Sequence, residues 1–352
     1  MKNVDILKLV KPVVRRLRAY EAKDIPCRVK LDANESPYPY EKDLSKVLAQ
    51  LRTNRYPDPE AKELKRLIAK RYGLSPENIL LGNGSDELIY YLVTTFGGPV
   101  LYPVPTFSMY DIISRALGEK GIAVPLNREF DIDIERTLRA VKREKPKVLF
   151  LSSPNNPTGN CFSAEKIMTL IERTKGIVVV DEAYQPFASE RGFLPLLKDY
   201  RNLVIMRTLS KIGFAALRLG FLLADAEIIA EVNKVRLPFN VNSLSQAIAK
   251  EALRDWRGLN APIKTIISER GRLSKEMGAT KGIEPFPSEA NFILFRVKDP
   301  DRVYSGLLKK GVLIRNLNSG IKGCLRVTIG APEENTIFLR ALKEVMNEKS
   351  QG

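Results

Sequence analysis

Three stretches of this chain follow one pattern, a short aliphatic and β-branched run that stops abruptly at a polar turn. Val148-Leu-Phe-Leu meets Ser152-Ser-Pro-Asn-Asn-Pro-Thr-Gly159, and Ile177-Val-Val-Val meets Asp181-Glu-Ala-Tyr184. The third, Asn202-Leu-Val-Ile-Met-Arg-Thr-Leu-Ser-Lys211, closes on a single amine. Runs that are apolar at every position predict strands buried on both faces, as in a parallel sheet. The helical pattern from Glu60 to Tyr72, with Leu64, Leu67 and Ile68 on one face, belongs to the intervening segments. Strand-like and helical patterns alternate to about residue 230, which predicts βαβ units.

The pattern changes from about residue 240. A long helical region from Ser243 to about Gly278 precedes three strand-like runs, Asn291 to Val297, Gly311 to Arg315 and Leu325 to Ile329. The expected fold is therefore α/β: a large domain with a mostly parallel sheet flanked by helices, plus a smaller α+β C-terminal domain. Residues 1–40 are expected to form an N-terminal arm and part of the small domain, 41–238 the large domain, and 239–352 the small one. A length of 352 residues suits two domains.

Composition narrows the chemistry. The longest uncharged stretch, Leu88 to Tyr110, contains Gly97, Gly98, Pro99, Pro103 and Pro105, so a membrane span is rejected. The start of the chain has no apolar signal-peptide core, and Cys27, Cys161 and Cys324 are few and far apart; a reduced cytoplasm is expected. The net charge of +16 raises the question of nucleic acid. The basic residues are interleaved with acids, as in Glu60-Ala-Lys-Glu-Leu-Lys-Arg66, which describes solvated helix faces instead. The chain has no histidine, which excludes Ser-His-Asp and Cys-His catalysis and His-ligated zinc.

Ligands of open α/β sheets lie beyond the carboxyl ends of the strands. Here those ends carry an amide, a carboxylate, a phenol and an amine, the set a pyridoxal phosphate enzyme requires. Lys211 is the Schiff-base candidate. Asp181 follows three valines and either caps a helix or holds a pyridine nitrogen protonated. Asn156 and Tyr184 are candidates for the cofactor's phenolic oxygen, or an ordinary turn and an amphipathic contact. Gly82-Asn-Gly-Ser-Asp-Glu87 before an apolar helix reads as a glycine turn capped by Ser85, or as an anion site completed by Ser210 and Arg218. Arg315 and Arg326 sit in apolar strands, where each needs either a structural salt bridge or a substrate carboxylate or phosphate.

In order, the segments Leu31-Asp-Ala-Asn-Glu, Arg55-Tyr-Pro-Asp, Gly82-Asn-Gly-Ser-Asp-Glu, Pro105-Thr-Phe-Ser-Met-Tyr, Pro154-Asn-Asn-Pro-Thr-Gly, Asp181-Glu-Ala-Tyr, Thr208-Leu-Ser-Lys and Leu325-Arg-Val-Thr-Ile-Gly carry a resemblance. The chain resembles the histidinol-phosphate aminotransferases, fold-type I, class II pyridoxal phosphate transaminases, over nearly its whole length. The resemblance implies that Lys211 binds the cofactor covalently, Asp181 meets its pyridine nitrogen, and Asn156 and Tyr184 meet its phenolic oxygen. It implies that Phe107 stacks on the ring, and that Ser85, Asp86, Thr208, Ser210 and Arg218 surround the phosphate. Tyr56 would reach that phosphate from the other subunit of a homodimer. Tyr20, Asn34, Arg315 and Arg326 would contact substrate. The implied reaction is ping-pong transamination between histidinol phosphate/imidazole-acetol phosphate and 2-oxoglutarate/glutamate in histidine biosynthesis. An aromatic amino-acid transaminase and a threonine-phosphate decarboxylase of the same fold are the alternatives.

Overall fold

The strands are β1 (Val29–Leu31), β2 (Ile79–Asn83), β3 (Val100–Val104), β4 (Gly121–Pro125), β5 (Val148–Ser152), β6 (Ile177–Asp181), β7 (Leu203–Thr208), β8 (Leu219–Ala224), β9 (Ile283–Pro285), β10 (Phe292–Val297), β11 (Val312–Asn316) and β12 (Cys324–Thr328). They are those of a computed structural model that describes residues 5–17, 25–40 and 42–348, the side chain of Arg257 excepted. Tyr20 lies outside the described residues. A seven-stranded sheet has the order β2-β8-β7-β6-β5-β3-β4, and a five-stranded sheet the order β1-β11-β12-β10-β9. In the larger sheet only β8 runs against its neighbours, antiparallel to both β2 and β7. The remaining pairs are parallel.

The uniform apolarity of β5, β6 and β7 has a simple cause: both faces of the sheet are covered. Phe150, Val179, Val204 and Met206 join Leu88, Ile89 and Leu92 of the helix Ser85–Phe96 in one core cluster. Their neighbours Leu149, Leu151, Val178, Val180, Leu203 and Ile205 point the other way, as the two-residue period of a strand requires. That second cluster runs without a break into Ile293, Phe295, Leu325 and Val327 of the smaller sheet. The two sheets are thus joined through a shared apolar core, and β1 reaches the smaller sheet by pairing in parallel with β11.

Local details depart from the sequence pattern in two places. The helix expected from Glu60 starts at Lys62, behind Ala61 at φ 44°, so Pro59 lies outside its first turn. The helical region from Ser243 is two helices, Ser243–Arg254 and Asn260–Gly278, separated by a 3-10 turn at Trp256–Leu259. The break follows Asp255, at φ −108° and ψ 44°, and presents Trp256 to Arg71, whose guanidinium lies 3.4 Å from an indole ring centroid. Among the described residues no helix is long and apolar enough to cross a membrane.

Candidate active site

Strand order reverses at β3, which has β4 on one side and β5 on the other. A crevice forms at such a point because the two connections leave in opposite directions. The turns after β3 and β5 carry Phe107 and Asn156, and β6 and β7 end next to it at Asp181 and Thr208. In register, Ser152 pairs with Asp181, and Asp181 with Met206.

Asp181 is buried. Burial pushes its carboxyl up to about 6, although the Tyr110 hydroxyl and the Ala183 amide favour the charged form and Lys211 adds an attractive charge. Tyr110 donates to Asp181 Oδ2 at 2.6 Å, and the Ala183 N–H donates to Oδ1 at 3.1 Å. Asp181 is therefore the last residue of its strand and not the cap of a following helix. Tyr110 is fully buried, and burial first, then the Asp181 charge, holds its phenol well above the ordinary range, which keeps it a donor. Its ring stacks on Phe150 with centroids 4.6 Å apart and planes 5° apart. Sequence reasoning placed no role on Tyr110; its only signal was membership of the Pro105-to-Tyr110 segment.

Lys211 lies on a 3-10 turn, Ser210–Ile212, immediately past β7. Its Nζ sits 5.6 Å from the centroid of the Tyr184 ring. Tyr184 is buried and receives a hydrogen bond on its hydroxyl from Asn34 Nδ2 at 2.9 Å. Asn34 is itself buried, in the left-handed region at φ 56°. The acid and the phenol thus come from the end of β6 and the turn after it, and the amine from the turn after β7.

The two asparagines of the β5 turn divide the work. Asn155 is fully buried and internally satisfied: it donates to Pro105 O and Thr158 Oγ1 and accepts from Thr106. Asn156 is half-buried, and its Oδ1 accepts from Arg326 at 2.6 Å, which leaves its N–H groups as the donors. Arg326 also donates to Asp32 O at 2.7 Å and lies 5.2 Å over the Phe292 ring. Arg315 stands directly opposite Arg326 in the β11–β12 register.

A third group of residues gathers at the amino end of the helix Ser85–Phe96. Gly84 is its N-cap at φ 85°, so Ser85 is the first helical residue and not the cap. A side chain on Gly84 would be strained at that φ and would displace the Arg218 guanidinium, 2.6 Å from a Cβ built there. Arg218, at φ 48°, reaches Asp86 at 3.3 Å. The Thr208 and Ser210 hydroxyls are 2.9 Å apart, and Thr208 also contacts Leu219 O. Phe107 is half-buried and edge-on to Tyr110, with centroids 5.7 Å apart. Tyr56 is not brought to this cluster within one chain: it is 81% exposed and stacks on Phe239.

Residues 22–342 match the model of the family "Aminotransferase class I and II". The chain is 46% identical to the histidinol-phosphate aminotransferase of Aquifex aeolicus (strain VF5), over 96% of this chain and 98% of that one. The chain belongs to the histidinol-phosphate aminotransferase family. A second relative of that name, from Caldanaerobacter subterraneus subsp. tengcongensis, is 40% identical over 96% of this chain and 99% of its own. The crystal structure of the histidinol-phosphate aminotransferase from Sinorhizobium meliloti, in complex with pyridoxal-5'-phosphate, superposes with a TM-score of 0.85 at 26% identity, covering 96% of this chain and 97% of that one.

The site of this family member fits such a cofactor on its own geometry. The amino end of the helix Ser85–Phe96, opened by Gly84, lies beside the Arg218 guanidinium. Helix N-termini and guanidinium forks are phosphate-binding groups. With the buried acid Asp181 and the amine of Lys211, these groups make a set that matches a phosphate, a ring nitrogen and an aldehyde.

Proposed function

We propose that this chain catalyses pyridoxal phosphate-dependent transamination, passing the amino group of glutamate to imidazole-acetol phosphate to give histidinol phosphate, a histidine precursor, and 2-oxoglutarate. Bound in the site, the cofactor supplies an electron sink for the substrate's Cα electrons. Lys211 would hold the cofactor covalently and would take the substrate's Cα proton as general base. Asp181 keeps the ring nitrogen protonated, and Tyr184 and Asn156 donate toward the phenolic oxygen. Phe107 stacks on the ring. Ser85, Asp86, Thr208, Ser210 and Arg218 hold the phosphate.

The observation that carries the substrate reading is the facing of Arg315 and Arg326 on adjacent strands. Arg315, half-buried and without a side-chain ion pair among the described residues, is the fork of this pair that calls for an anion. One substrate brings a phosphate ester and the other two carboxylates, and two fixed forks serve both. Arg326, joined to Asn156, lies at the cofactor end, and Arg315 beyond it.

Half-reactions test the reading. Histidinol phosphate added to the loaded protein is expected to convert the visible band of lysine-bound cofactor to the near-ultraviolet band of the amine form, and 2-oxoglutarate to restore it. A visible band that histidinol phosphate leaves unchanged overturns the substrate. Absence of the band after loading overturns the site.

The same reading makes the enzyme a cytoplasmic homodimer, with Tyr56 reaching the partner's phosphate group. Tyr56, 81% exposed, stacks on Phe239 at 36% exposure, and this open aromatic pair on the single chain supports the reading. Sedimentation at twice the chain mass is expected, and a fully active monomer overturns it. We assign residues 41–238 to the large domain, and 1–40 with 239–352 to the small one. The pairing of β1 with β11 supports that division.

A further inference from the structure

Asn34 was expected to meet substrate, yet its side chain is engaged with two buried protein groups. The Thr328 hydroxyl accepts the Asn34 backbone N–H at 3.0 Å and donates to Asn34 Oδ1 at 3.2 Å. Thr328 is 2% exposed, and both contacts of its hydroxyl are with Asn34. A threonine hydroxyl has one proton, and a buried one needs an acceptor. With the backbone N–H already directed at the oxygen, the acceptor is Asn34 Oδ1. That fixes the orientation of the amide: the carbonyl faces Thr328 and the NH2 faces Tyr184. Asn291 adds a clamp by donating to Asn34 O at 3.0 Å.

The consequence falls on Tyr184. Its hydroxyl receives a hydrogen bond from Asn34 at 2.9 Å, and no other hydrogen bond reaches it among the described residues. Its ring has Lys211 over one face at 5.6 Å and the edge of Phe292 at 5.1 Å. With an N–H pointed at its oxygen, the phenol cannot donate to Asn34. We propose that Asn34 is a positioning residue which, oriented by Thr328, directs the Tyr184 proton toward the cofactor's phenolic oxygen. This rests on the assignment of Tyr184 to that oxygen, given above. Thr328, Asn34 and Tyr184 form a directional relay across the two sheets, from the end of β12 to the turn after β6. Chains of hydrogen bonds polarise one another, so the relay also strengthens the donor.

The relay has an unusual genetic signature. Replacing Thr328 by Val leaves Asn34 Oδ1 without its donor, and the nearby donor that can satisfy it is the Tyr184 hydroxyl. The amide then turns over and draws the phenolic proton away from the cofactor. Removing the amide as well abolishes that competition, and Gly tolerates the left-handed backbone at position 34. The readout is the pH midpoint of the visible band of the loaded protein, which rises when the phenolic oxygen loses a donor.

Tyr184→Phe is expected to raise the midpoint by about one unit, the scale of one lost charge-assisted hydrogen bond. Thr328→Val raises it in the same direction, Asn34→Gly raises it less, and the double variant Asn34→Gly/Thr328→Val returns to the Asn34→Gly value. Thermal melting of each loaded variant verifies folding, and Thr328→Ser, which keeps the hydroxyl, retains the wild-type midpoint. If Tyr184→Phe moves the midpoint and Thr328→Val does not, the relay is overturned while the Tyr184 assignment stands. If Tyr184→Phe leaves it unmoved, the assignment itself falls. Additive shifts in the double variant also overturn the relay.

Discussion

Tyr110 donates a 2.6 Å hydrogen bond to Asp181 although the two are 71 residues apart in the chain, and both side chains are buried. In a protein without histidine this phenol is the side-chain donor that supports the ionised acid. Tyr110→Phe keeps the stacking on Phe150 and removes only the hydroxyl. Hydrogen bonds to charged groups contribute about 1.5–3 kcal/mol, so the Asp181 carboxyl is expected to rise by one unit or more. The acidic limb of the kcat/KM profile should move to higher pH, with roughly a tenfold loss at neutral pH. An unmoved limb would confine Tyr110 to packing.

The raised Asp181 carboxyl also makes the cofactor-free protein pH-sensitive. Between 3.8, the ordinary value, and about 6, the folded chain holds a proton that the unfolded chain has lost. The native state binds more protons in that window, so stability falls as pH rises through it and is level above it. At about 1.36 kcal/mol per unit, the shift corresponds to roughly 3 kcal/mol. Urea denaturation of cofactor-free wild type and Asp181→Asn should therefore agree near pH 4 and diverge above pH 6, with the variant more stable. A constant difference across the window would show that burial does not act on this group. Loading the wild type with cofactor, which brings a cation to Asp181, should flatten its pH dependence.

Next to Asp181, Glu182 forms a buried ion pair with Arg207 of β7, the Nε and NH2 atoms lying 2.9 and 2.6 Å from Oε2. The Glu182 Oε1 atom accepts the Phe193 N–H at 2.6 Å, and Arg207 lies 4.8 Å over the Tyr72 ring. The pair ties the turn between Asp181 and Tyr184 to the strand that leads to Lys211. Breaking it from one side leaves a buried charge, so Glu182→Gln is expected to cost about 3–5 kcal/mol in chemical denaturation. The double replacement Glu182→Met/Arg207→Met should recover much of that loss, because neither charge remains. If single and double variants lose equally, packing and not charge accounts for the effect.

The sheet was legible because β5, β6 and β7 are apolar at every position and end in polar residues, a local signal. Asp181, Lys211 and Asn156 were legible for the same reason, being polar groups at the ends of such runs. Tyr110 and Thr328 were not, since an aromatic at the start of an amphipathic helix and a threonine in an apolar strand read as core. Their roles depend on contacts 71 and 294 residues away in sequence. The reversed direction of β8 and the break before Trp256 escaped for a related reason: pairing partners and a cation–π contact decide them, not periodicity. Asn34 carried a motif signal but no signal of direction, which resides in the hydrogen-bond partners.

Arg315 and Arg326 offer the sharpest test of substrate division. Arg326 is buried and already holds Asn156 and Asp32, so its replacement disturbs the cofactor side of the site together with substrate. Arg315 is half-buried and its side chain makes no hydrogen bond or ion pair among the described residues, so its truncation disturbs little but the anion it meets. If Arg315 serves the phosphate ester, Arg315→Ala should raise KM for histidinol phosphate about 10- to 100-fold, the range of one lost charge-assisted contact. The glutamate half-reaction should change by a smaller factor, and kcat for either should hold. Single-turnover titrations of both half-reactions on one preparation measure the ratio directly. Equal losses for the two substrates would refute the division, leaving the facing arginines as one shared anion site.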